Sequence, residues 1–134
     1  MFVRTTIIAS LLLLSSPAAA QGTPLTVKPG ETWIFSIFRG QPSKPHKAAP
    51  SAKPAPGQVV VTVRTMMGTS LSISSNNPTP FTYSAELLGA GRSVPARSCT
   101  LPADGKISFE HWPEQATAVR LSNFKPAPKG GNCP

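Results

Sequence analysis

The sequence predicts an all-β chain folded as a two-sheet sandwich, on three observations. Beyond the first twenty residues, no window keeps apolar residues at i, i+3, i+4 and i+7, the spacing an amphipathic helix requires. Several short windows instead alternate with period two, so that one face of an extended chain is apolar. Turn-forming clusters of Gly, Pro, Asn and Asp separate these windows at intervals of about ten residues, the rhythm of short antiparallel strands.

Taken in order, Pro29-Gly30 introduces a strand over Thr32–Phe38, with Trp33, Phe35 and Ile37 on one face. In Gln58–Thr65, Val59, Val61 and Val63 share a face, while Thr62 and Arg64 point the other way. Leu71 and Ile73 continue the pattern with Ser70, Ser72 and Ser74 opposite, and Met66-Met67-Gly68 turns the chain between the two strands as a hairpin. After the turn cluster Asn76–Pro80, the residues Phe81, Tyr83, Ala85 and Leu87 alternate as a strand until Gly89-Ala90-Gly91 breaks it. Val94–Thr100 is an edge strand, because Pro95 cannot donate to a ladder. Ala103-Asp104-Gly105 turns into Lys106–Trp112, where Ile107 and Phe109 mark the inner face. Pro113-Glu114-Gln115 suits a single helical turn, and Ala118–Phe124 closes the series with Val119 and Leu121 inward. Six to seven short antiparallel strands of this kind point to a small immunoglobulin-like sandwich, preferred over a closed barrel.

The Gly40–Gly57 segment departs from this pattern, carrying Pro42, Pro45, Pro50, Pro54 and Pro56 with three lysines. That composition samples extended polyproline-like conformations and predicts a flexible, disordered loop. Only Gln21–Arg39 would precede it once a leader is removed, too little for a separate domain, so the segment reads as an insertion in one β-sandwich domain over 21–134.

Residues 1–20 read as a cleavable signal peptide: Arg4, the apolar run Ile7–Leu14, then Pro17-Ala18-Ala19-Ala20 before a cut after Ala20. The expected product is soluble and periplasmic or secreted, with no transmembrane segment. Export places Cys99 and Cys133 in an oxidising compartment, where two thiols have one intramolecular pairing. A disulfide closing that loop of about 34 residues removes about 3–4 kcal/mol of unfolded-state entropy. No C-x-x-C occurs, so the pair is expected to be structural.

Thirteen basic residues face five acidic ones, a net charge of +8 that becomes +7 without Arg4. No Asp or Glu lies between Glu31 and Glu86, whereas Arg39, Lys44, Lys47, Lys53 and Arg64 all do. This basic half favours an anionic partner through long-range attraction, and these five cations are the candidate contacts. Export and the lack of aromatics in the Pro/Lys segment argue against nucleic acid.

Catalytic signatures are weak. His111 lies near Glu110 and Glu114, but strand alternation sends His111 and Glu110 to opposite faces. Gly68-Thr69-Ser70-Leu71-Ser72 lacks the closing glycine of a nucleophile elbow and falls on a hairpin. Neither the cysteines nor His46 and His111 are spaced as metal ligands, and no cofactor motif occurs. The expected function is therefore a non-catalytic binding or structural module of the cell envelope, contacting an anionic component or another exported protein. A hydrolase centred on His111 ranks behind it.

Three further short motifs, Asn77-Pro78-Thr79, Gly89-Ala90-Gly91 and Trp112-Pro113, occur in the order of the inhibitory loops of chagasin-like cysteine-protease inhibitors. In that order the chain resembles this family of small immunoglobulin-like sandwiches. The resemblance implies a secreted protease inhibitor presenting Asn77, Pro78, Thr79, Gly89, Gly91 and Trp112. The chain departs from the pattern where Pro80-Phe81 replaces the glycine ending the first motif, where no Arg-Pro precedes the aromatic residue, and in a shorter gap between the first two motifs.

Overall fold

A computed structural model describes residues 22–89, 92–96 and 100–128. The chain forms nine strands: β1 (Leu25–Val27), β2 (Thr32–Phe38), β3 (Gln41–Ala48), β4 (Gln58–Thr65), β5 (Thr69–Ser75), β6 (Phe81–Gly89), β7 (Arg92–Ala96), β8 (Ile107–Trp112) and β9 (Ala118–Pro126). They pair into a four-stranded sheet, β1-β9-β6-β7, and a five-stranded sheet, β3-β2-β4-β5-β8, both antiparallel. The described residues contain no helix. The two sheets share one apolar core, to which the larger contributes Phe35, Val59, Val61, Val63, Leu71 and Ile73. The smaller supplies Tyr83, Leu87, Val119, Leu121 and Phe124. Phe124 is its centre, with ring centroids 5.5 Å from both Phe35 and Tyr83.

Strands β2, β4 and the β4–β5 hairpin follow the expected alternation, with Val59, Val61 and Val63 of β4 fully buried. Strand β7 lies at the edge of its sheet, where the missing N–H of Pro95 costs least. The expected helical turn at Pro113–Gln115 is a bend. Thr69 Oγ1 donates to the Glu114 carbonyl (2.8 Å) and accepts from the Ala116 N–H (2.9 Å), so a side chain takes up the groups that a helical turn would pair internally.

Two expectations are corrected. The Pro/Lys-rich segment is not a loop throughout: its first half is β3, an edge strand along β2, with a bulge between the pairs Ile34↔His46 and Ser36↔Ser43. An edge strand needs only one row of N–H groups, and a bulge tolerates Lys44 at φ 51° with Pro45 beside it. The second half folds back against the sheet, anchored by Asn76 Nδ2 donating to the Pro54 carbonyl (3.0 Å) and by the Gly57 N–H donating to the Asn76 carbonyl (2.7 Å). The inner face of β8 is also the reverse of that expected. Ile107 and Phe109 are 59% and 74% exposed, and Trp112 is buried. Pairing sets this parity: Trp112 lies opposite Thr69, in phase with the buried Leu71 and Ile73, which puts Phe109 opposite Ser72 on the outer face.

The leader at 1–20, Gly91, Cys99 and Cys133 lie outside the described residues. The nearest described anchors of the two cysteines, Leu101 and Pro126, both pair with Phe81, so the two segments leave the sheet from one place. If residues 1–20 direct export, a Cys99–Cys133 bridge is expected. Intact mass under non-reducing conditions should be two hydrogens lower than after reduction, and two free thiols would contradict it.

Candidate functional site

Pairing across the five-stranded sheet aligns its outward side chains in rows. Arg64, Ser70 and His111 form one row, Thr32, Thr62, Ser72 and Phe109 the next, and Ile34, Val60, Ser74 and Ile107 a third. Small side chains on β5 make the floor. Two hollows open on it, of about 330 Å³ at the Arg64–His111 end and about 450 Å³ at the Lys53–Ile107 end, and they share Thr62 and Ser72. Together they form a groove along β5, bounded by β8 on one side and by Pro50, Lys53 and Pro54 on the other.

The lining is largely apolar, with Val60, Ile73 and Ile107 in one hollow and Met66, Leu71 and Phe109 in the other, and the hydroxyls set into it are organised. Thr32 Oγ1 and Thr62 Oγ1 share a hydrogen bond of 2.8 Å, Ser70 Oγ and His111 Nδ1 one of 3.1 Å, and Ser74 Oγ donates to the Gly105 carbonyl at 3.0 Å. The Ser70–His111 pair joins directly opposed residues in an open sheet face. Among the described residues no carboxylate bonds His111, so no third group orients the ring as a nucleophile's base requires. Strand parity turns Glu110 away from His111, although it borders the hollow at the Arg64 end, and its charge adds to burial in raising the Tyr83 hydroxyl's pKa; burial is the larger cause. Among the described residues no group of three His, Cys, Asp or Glu could hold a metal ion.

The five cations singled out from sequence do not form one cluster. Arg39 lies in the β2–β3 turn over the Phe38 ring (5.3 Å) and Lys44 in the β3 bulge, towards one end of the sheet. Lys53 and Arg64 line the two hollows. Lys47 is engaged elsewhere, with Nζ 2.9 Å from Glu31 and 5.8 Å from the centre of the Trp33 ring. The Lys47 hydrogen bond, followed by one from the Lys28 N–H, holds the Glu31 carboxyl at about 2. A lowered carboxyl pKa contributes stability that is present above its unfolded value near 4.5 and lost as pH falls through about 2. Glu31→Gln should therefore destabilise the protein at pH 7, by under about 1 kcal/mol because Lys47 is largely in solvent. In urea titrations the gap should close between pH 4.5 and pH 2, and a gap that is constant with pH would contradict the pairing.

The inhibitor-like loops are not brought together. Asn77–Thr79 follow Ser75 at one end of β5, while Trp112 pairs with Thr69 at the other and is buried. Gly89 lies beside Thr117 at the Trp112 end. Asn77 is held in its turn, with Nδ2 donating to Ser75 Oγ (2.8 Å) and its carbonyl accepting from the Asp104 N–H (3.0 Å).

What sequence reasoning missed is the groove itself. Its one available signal was the serine alternation in β5, which marks a face carrying side chains too small to cover a sheet. No family model, no curated protein and no solved structure matches the chain.

Proposed function

We propose that the chain is a non-catalytic, exported binding module of the cell envelope that holds an anionic partner on the outer face of its five-stranded sheet. The observation that carries the reading is charge placement: Arg64 and Lys53 line the groove, where the one acidic residue among the lining side chains is Glu110, at the Arg64 end. The leader-like residues 1–20 support export. The pairing of β5 with β8 in one sheet and β6 with β9 in the other supports an immunoglobulin-like sandwich, matching the neighbour relations of strands B with E and C with F in that topology. The weight of binding shifts from Lys47, engaged with Glu31, to Lys53 and Arg64.

The test is retention of residues 21–134 on an anionic envelope fraction at low and high salt. Lys53→Gln with Arg64→Gln should weaken retention about tenfold at low salt, Lys47→Gln should leave it nearly unchanged, and high salt should abolish the difference. Retention that ignores both salt and these substitutions would contradict the reading.

A further inference from the structure

The groove carries more than charge. Ser72 lies at its centre, opposite Thr62 on one side and Phe109 on the other, and its hydroxyl makes no hydrogen bond among the described residues. From Ser70 to Ser74 the floor runs about 13 Å along the strand. One wall presents the exposed Phe109 ring, and Arg64 stands in the end row.

We infer that this groove takes an acidic oligosaccharide, of which a sugar hydroxyl meets the Ser72 hydroxyl, one ring face lies on Phe109, and a carboxylate pairs with Arg64. The inference rests on the anionic-partner reading and names its ligand. A hydroxyl side chain both donates and accepts, as a sugar hydroxyl does, so the two can satisfy each other in any rotation. An acyl chain would match the apolar lining of Val60, Ile73 and Ile107 but would leave the Ser72 hydroxyl and the Arg64 guanidinium without a partner. An extended peptide pairs through the backbone edge of a sheet, whereas β5 is interior and its backbone is already paired on both sides. The planar Arg64 guanidinium suits a carboxylate through two parallel bonds. The ring C–H groups of a pyranose, partly positive, suit the negative face of an aromatic ring.

The test is titration calorimetry of residues 21–134 with tetragalacturonate, its fully methyl-esterified form, and phosphatidylglycerol vesicles. Tetragalacturonate should bind, the uncharged ester should bind about tenfold more weakly, and Arg64→Gln and Phe109→Ala should each cost about tenfold. Arg39→Gln with Lys44→Gln, away from the groove, should cost little. Both groove side chains reach solvent, and an unchanged melting temperature in each variant would show that the fold is retained. Tetragalacturonate binding that ignores Arg64 and Phe109 would overturn the site. Binding of vesicles but not of tetragalacturonate would overturn the sugar ligand while leaving the anionic-partner reading intact. Binding of neither at low salt would overturn both.

Discussion

Phe124→Ala is expected to cost about 3–5 kcal/mol, the range for removing a buried aromatic side chain. Phe124 is 2% exposed and bridges the sheets, packed 5.5 Å from Phe35 in the larger sheet and from Tyr83 beside it in its own. The cavity cannot collapse easily, since its walls are β-branched and aromatic residues fixed by two ladders. Such a loss is a large part of the 5–15 kcal/mol that stabilises a typical domain. Urea unfolding should show a lower midpoint with an unchanged slope, or no folded baseline at all. A loss below about 1 kcal/mol would mean that the sheets do not close on Phe124.

Gly68→Ala is the second large effect, and it acts through the backbone. Gly68 turns the β4–β5 hairpin at φ 123°, a conformation that L side chains rarely adopt. A Cβ there would also overlap the Trp112 carbonyl oxygen and the Pro113 backbone, where the loop after β8 crosses the hairpin. Strain of about 1–3 kcal/mol joins a comparable packing penalty, for a combined loss of about 2–6 kcal/mol. Gly105→Ala is the control, because Gly105 has a positive φ of 77° but open space around it. It should cost about 1–2 kcal/mol, the strain alone. Equal losses at the two positions would show that the close approach at Trp112 is not made.

The parts of this fold legible in the sequence were those where side-chain period and burial coincide. The valines of β4 and the Leu71/Ile73 pair of β5 read as strands because each puts an uninterrupted apolar face on the core. Strand β3 was hidden by its prolines: polyproline and β conformations share one region of backbone space, so composition separates a free arm from an edge strand poorly. Strand β1, three residues long, carries too short an alternation to register. In β8 two apolar faces competed, Ile107/Phe109 against Trp112, and only pairing with β5 decides between them. The same slip concealed the groove, since assigning Phe109 to the core removes the wall that defines it. Of the proposed contacts, Arg64 was visible as an outward cation on β4. Its alignment with Ser70 and His111 depends on register across three strands, which no local pattern encodes.

The most direct measurement is an amide chemical-shift titration of residues 21–134 with tetragalacturonate at low salt. Shifts concentrated at Arg64, Ser70–Ser74 and Phe109–His111 are the predicted result. Shifts centred instead on the β2–β3 turn at Arg39 and on Lys44, with the β5 and β8 amides unmoved, would contradict the account.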